Sequence, residues 1–166
     1  MKSGFVLFAA ALSASCAVAV SGPSAAGTSA LSAVSVDDQV VLEKRLPRAL
    51  SDFGFFVDPA GQVPSANVTP YRLNMPLFSD GAEKLRFLYL PEGMAAKADG
   101  EGLLDLPVGA ALIKTFAFGE GADRQLIETR VLLHRADGWL ALPYRWNEEQ
   151  TEARLAIAGA RVDLTT

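Results

Sequence analysis

The dipeptide Asp137-Gly138 lies between two runs, Gln125 to Arg135 and Trp139 to Trp146, that alternate apolar with polar side chains. An Asp-Gly pair in that setting is the strongest short-range hairpin signal, because both residue types tolerate the backbone angles of a tight reversal. Centring the turn on the pair sets Leu133 opposite Leu142, Val131 opposite Tyr144 and Thr129 opposite Trp146. Side chains alternate along a strand, so Ile127, Thr129, Val131 and Leu133 share one face with Leu140, Leu142, Tyr144 and Trp146. That face is the predicted core, and it takes Tyr144 and Trp146 away from any ligand platform.

A second reversal, centred on Gly121, lays Ala110 to Phe118 beside the first strand and places Lys114 across from Glu128. The opposite face then carries Glu128, Arg130 and His134 among Leu126 and Leu132, with Arg145 and Asn147 from the neighbouring strand. Leu112, Phe116 and Phe118 join them. Arg130 and Arg145 come out as direct neighbours, and like charges facing each other destabilise a sheet unless a carboxylate or an outside anion sits between them. Lys114, Glu128, Arg130 and Arg145 are therefore the first candidate contact. The plainer reading is an internal ion network in which Glu128, aided by Asp80 or Glu148, neutralises the group. The apolar members are too many to leave in water, so something is expected to cover this face.

The stretch NMPLFSDGAEKLRFLYLP, Asn74 to Pro91, supplies the second candidate. Ser79, Asp80 and Gly81 suit a turn, and AEKLRF carries Lys84 and Arg86 into a strand on the face opposite Leu85 and Phe87. Asp80 and Lys84 either face a ligand or simply lead a solvated strand out of a turn. Asn147, with Gln150 three residues on, resembles a cap that opens a short turn.

Further strands are expected at Leu85 to Leu90, with a weaker pair at Ala153 to Ile157 and Ala160 to Leu164. Pro59, Gly61, Pro64, Pro70 and Pro76 make the segment from Val57 to Pro76 read as extended loop. From Asp37 or Asp38 to Gly54, an acidic start, an apolar pattern and a terminal Gly predict a short helix, or two helical turns divided near Arg45 by Pro47. The expected domain, 37–166, is mainly β, an antiparallel sandwich or partly open barrel with a short N-terminal helix.

The first 26 residues combine Lys2, an apolar run from Phe5 to Leu12 and small residues suited to cleavage, the pattern of an export signal. Residues 27–36 read as a flexible linker. The apolar run falls short of the roughly 20 residues needed to span a bilayer, so no membrane span is expected and the destination is the periplasm or the exterior. Cleavage beyond Cys16 is favoured over lipid anchoring at that residue, since Ser13 stands where a lipoprotein signal wants Leu. It removes the only cysteine, and with it disulfides, thiol catalysis, Cys-zinc sites and covalent haem attachment. Loss of Lys2 takes the formal charge from −4 to −5, which disfavours nucleic acid as a partner. The single histidine, His134, has no nucleophile at a recognisable motif, and no phosphate loop, dinucleotide fingerprint or EF-hand spacing is present.

Four ordered motifs, PYRLNMPLFSDGAEKLRFLYLP, DLPVGAALIKTF, IETRVLL and GWLALPYRWNEEQTEARL, resemble those of a family of exported, largely uncharacterised bacterial proteins. In that family the β-rich domain precedes a c-type haem segment. The likeness runs from about Leu50 to Gly159 and implies an accessory domain near periplasmic electron transfer. The family's C-x-x-C-H does not occur in this sequence, so haem binding is not carried over and no cofactor is expected. A shortened gene product, a separately encoded domain and a haem-free homologue are the three expectations this leaves.

The expected function is a non-catalytic binding or interaction domain, with a periplasmic redox protein or a small anionic ligand as partner. Its contact is Lys114, Glu128, Arg130 and Arg145, with Asp80 and Lys84. The alternatives are a hydrolase or lyase using carboxylates such as Asp80 and Glu128 beside Lys114, and a truncated fragment of a c-type cytochrome.

Overall fold

The computed structural model describes residues 34–159, apart from Pro76, Asp99 and Glu101. The leader, most of the linker and the last candidate strand, Ala160 to Leu164, lie outside the described residues. Among the described residues the chain is mainly β, with antiparallel sheets, one short helix and one six-stranded sheet that does not close into a barrel.

Asp37 starts the described fold as expected of an N-cap, its carboxylate accepting from the Gln39 and Val40 amides at 3.0 and 3.3 Å. The helix α1, Asp38–Leu42, is one turn, and a 3-10 turn, Leu50–Phe53, follows beyond Pro47. The divided form of the expected helix is thus the one adopted. Gly54 ends it at φ +69, where a β-carbon would stand 2.5 Å from the Ser35 carbonyl oxygen. Only glycine meets both conditions.

The strands are β1 Phe56–Asp58, β2 Val63–Pro64, β3 Val68–Pro70, β4 Glu83–Tyr89, β5 Lys97–Ala98, β6 Leu104–Asp105, β7 Ala111–Phe118, β8 Gln125–Arg135, β9 Gly138–Trp146 and β10 Ala153–Leu155. The large sheet runs β10-β9-β8-β7-β4-β3, while β1 pairs with β2 and β5 with β6. Three short strands therefore occupy the proline-rich segment read as loop. They are two or three residues each, and Pro64 and Pro70 stand at strand ends, where a missing amide is tolerated.

Both hairpins differ in register from the expectation by two residues. Leu133 pairs with Leu140, Val131 with Leu142 and Thr129 with Tyr144. The turn residues are Ala136 and Asp137, and Gly138 alone takes the positive angle, φ +117, as the first residue of β9. This is the arrangement of a turn closed by a single glycine rather than one centred on Asp-Gly. Lys114 pairs with Arg130, and Phe116 with Glu128. The connection after β7 is not a tight two-residue turn but a loop containing a 3-10 turn, Gly121–Asp123. An even shift keeps every side chain on its face, so the core face survives. A bulge beside Phe116 and Ala117 makes one exception: Leu126, expected outside, pairs with Ala117 and is buried, while Ile127 is only half-buried.

Gln150 completes that bulge. Its side-chain amide accepts from the Leu126 N–H at 2.6 Å and donates to the Leu126 carbonyl at 3.0 Å, occupying the place of a missing strand residue. Asn147 acts as the expected cap, accepting from the Thr151 and Glu152 amides at 2.9 and 3.1 Å.

The inner face of the sheet packs against the segment from α1 to β1. Phe53 stacks on Phe55 at 4.8 Å and meets Tyr144 edge-on at 5.9 Å, while Phe56 meets Phe87 at 5.0 Å. Two buried threonines in the middle of this apolar layer satisfy each other: Thr115 and Thr129 hydroxyls lie 2.8 Å apart, and Trp146 Nε1 donates to Thr129 at 2.9 Å. The covering segment is fastened to the residues from Tyr144 to Leu155. The Tyr144 hydroxyl donates to the Pro47 carbonyl at 3.0 Å, Leu155 N to Arg48 O at 3.0 Å, and the Ser51 hydroxyl to Glu152 at 2.5 Å.

Candidate functional site

On the outward face, register alone decides which side chains meet. Arg86, Lys114 and Arg130 stand in one row across β4, β7 and β8. The next row reads Lys84, Phe116, Glu128, Arg145 and Arg154 from β4 to β10. Among the described residues, six lysines and arginines thus share this face with one acidic residue, in a chain that has fifteen of the first and nineteen of the second. The rest of the molecule is correspondingly acidic.

Phe116 lies at the centre of the group. The Lys114 ammonium is 5.0 Å and the Arg130 guanidinium 4.9 Å from its ring centroid, within range for attraction between a cation and the ring face. Glu128 is bound by Arg130 Nε. Among the described residues no ion pair reaches Lys84, Arg86, Lys114, Arg145 or Arg154, and neither Asp80 nor Glu148 supplies one. Lys84 instead donates to the Leu77 carbonyl, and Arg86 Nη1 to the Lys84 carbonyl at 3.1 Å. Partial burial lowers the Lys114 pKa from its ordinary 10.5, and the charges of Arg130, Arg86 and Lys84 lower it further against the opposing pull of Glu128. The lysine therefore sits in an uncompensated positive field.

Five of the six candidate residues, Lys84, Lys114, Glu128, Arg130 and Arg145, come together on this face. Asp80 does not. It occupies the tip of the turn before β4, exposed, at φ +46 beside Gly81 at φ +80, with the Ala82 amide bonded to Ser79 O at 2.8 Å. Arg130 and Arg145 are diagonal rather than direct neighbours, because Glu128 faces Arg145 and Pro143 faces Arg130. The opposed like charges are elsewhere, at Arg86 to Lys114, Lys114 to Arg130 and Arg145 to Arg154. Arg86 and Arg154 join the group only through the strand order. The alternation of Lys84 with Arg86 carried the signal for the first, once β4 is placed beside β7.

Two open hollows border the group. One, about 320 Å³, is lined by Glu128, Arg130, Leu132, Pro143 and the chain at Ile157 and Gly159. The other, about 1080 Å³, lies between β4 and the loop from Tyr71 to Ser79. Neither is lined by both Asp80 and Glu128, so the paired carboxylates that acid-base chemistry would use do not converge. His134 is a structural residue: Nδ1 lies 2.8 Å from the Leu106 carbonyl and the ring stacks on Trp139 at 4.5 Å. Among the described residues no cluster of three or more His, Cys, Asp or Glu could hold a metal ion, and no helix is long and apolar enough to cross a membrane.

Leu88, Leu112 and Leu132 form an apolar row beside the cations, and Leu132 is 36% exposed. Among the described residues two stretches approach this side of the sheet: the chain at 156–159, with Ala156 N bonded to Pro143 O at 2.9 Å, and the loop from Tyr71 to Ser79, where Lys84 reaches the Leu77 carbonyl. The expected cover is not found there. Searches against protein-family models, curated proteins and solved structures find no match to this chain.

Proposed function

We propose that this protein is a non-catalytic interaction domain whose outward sheet face docks an acidic protein surface. The observation that carries the reading is the row Arg86, Lys114 and Arg130, three cations directly opposite one another with only Glu128 among them as counter-charge. A sheet disfavours such a row, and an external anion relieves it. The aliphatic row Leu88, Leu112 and Leu132 gives the contact an apolar margin, as protein interfaces have. The resemblance to exported proteins with a haem segment supports a periplasmic redox protein as the owner of the acidic surface.

The test uses a labelled glutamate-rich peptide as stand-in and follows fluorescence anisotropy across a salt series. Binding should weaken steeply with salt. Replacing Arg130→Gln and Arg145→Gln together should weaken it about tenfold, the equivalent of roughly 1.4 kcal/mol. Salt-insensitive binding, or no loss in the double variant, would contradict the assignment.

A further inference from the structure

The larger hollow differs in character from the flat face beside it. It runs under the loop from Tyr71 to Ser79 and along β4, so it has walls on two sides. Arg72, Lys84 and Arg86 line it, all cationic. Glu83 is the one carboxylate in the lining, and it is engaged: Arg124 Nε stands 3.1 Å from its Oε2 and Arg124 Nη2 donates to its Oε1 at 3.4 Å. The Nε is close without being aligned to donate, so this is an ion contact rather than a bidentate fork. The other three cations have no carboxylate in the lining left to meet them.

The loop side of the hollow is apolar and wet. Leu77 is 75% and Phe78 85% exposed, consecutive large side chains left in water at the rim of a positively charged cleft. Scattered apolar residues on a surface mean little, but adjacent ones bordering a cavity mark a contact. At the floor Gln62 is 6% exposed and held at φ +53; its Nε2 donates to the Pro59 carbonyl at 2.6 Å and its Oε1 has no partner among the described residues. A volume of about 1080 Å³ is ample for a small organic molecule.

We infer that this hollow is a binding site for a small organic anion, whose carboxylate, sulfonate or phosphate head meets Arg72, Lys84 and Arg86 while its apolar body lies against Leu77 and Phe78. It shares Lys84 and Arg86 with the outward face but stands on separate residues, Arg72 and Phe78, and does not depend on the docking proposal. Combining the two chemistries is what separates it from a general anion patch. A head group alone would be left to compete with water for exposed cations, and an apolar body alone would leave the guanidinium groups unpaired.

Three probes resolve those parts by calorimetric titration of the whole chain: phenylbutyrate, with both head and body; phenylbutanol, with the body alone; and acetate, with the head alone. Phenylbutyrate should bind at one site and at least about tenfold more tightly than either of the others. Arg72→Gln and Phe78→Ser should each weaken it severalfold, with circular dichroism unchanged because both residues are exposed. Lys44→Gln and Lys97→Gln, exposed residues that do not line the hollow, should leave it unaltered. Amide chemical shifts should move between residues 71 and 86. Acetate binding as tightly as phenylbutyrate would reduce the site to an adventitious ion, and phenylbutanol binding as tightly would reduce it to a greasy surface. Either result overturns the inference, as do an absence of binding and shifts confined to the strand around Arg145.

Discussion

Replacing Lys114 with methionine should stabilise the fold while weakening its contact. Lys114 has a cation directly opposite on each side, Arg86 and Arg130, and its one acidic neighbour, Glu128, is diagonal and bound to Arg130. Like charges opposed across a sheet cost about 0.2–1 kcal/mol each. Two such pairs, less a diagonal attraction, come to about 1 kcal/mol of strain removed. Methionine keeps the stem over Phe116, and its sulfur replaces the cation on the ring with a contact worth about 0.3–1.5 kcal/mol, so little packing is lost. Urea unfolding at low ionic strength should show the gain, with a melting temperature raised by roughly 3–5 °C. Near 1 M salt, where the screening length is about 3 Å, the gain should collapse. The pH dependence carries the same sign. Because the folded protein lowers the Lys114 pKa, it binds fewer protons than the unfolded chain between that lowered value and 10.5. Wild-type stability therefore rises with pH through this window, and its deficit relative to Lys114→Met should shrink there. If Lys114→Met instead destabilises the protein to the same extent at every salt concentration, the lysine is neutralised within the fold and the argument for an external anion fails.

Two further changes probe the scaffold behind the face. Thr129→Val should cost about 1–3 kcal/mol, since it strands the buried Trp146 N–H and the Thr115 hydroxyl; denaturant titration checks this, and a loss under 0.5 kcal/mol would mean the hydroxyl network matters little. Gln150→Ala should cost a similar amount by leaving the Leu126 N–H and carbonyl without partners. Faster hydrogen exchange at Leu126 than at Thr129 would show the opening is local, whereas unchanged exchange would mean another group takes over.

The long strands, the Asp37 cap and the Gly54 stop were legible because each rests on a local rule: alternation, capping and positive φ. Registers were legible only modulo two, since Asp-Gly permits a turn on the pair or one residue earlier, and alternation cannot distinguish shifts that preserve the face. Hydrophobic periodicity misplaces Leu126, because a bulge leaves no mark in it. The bulge depends on a glutamine 24 residues away. Proximity in sequence groups Asp80 with Lys84, yet Asp80 stays at the exposed tip of the turn before β4 while the sheet assembles the cations. Arg86 and Arg154 needed the strand order as well, because which strands lie side by side is a nonlocal fact.

The ties between Pro47, Arg48 and Ser51 and the residues from Tyr144 to Leu155 span about a hundred positions of sequence. During synthesis, then, the apolar lid formed by Phe53, Phe55 and their neighbours can meet Phe87 and Tyr89 early but cannot be fastened until the residues from Tyr144 to Leu155 have emerged from the ribosome. Loop closure over such a distance is entropically slow. The architecture builds in a delay, and for that interval the lid of the nascent protein stays unfastened on one side.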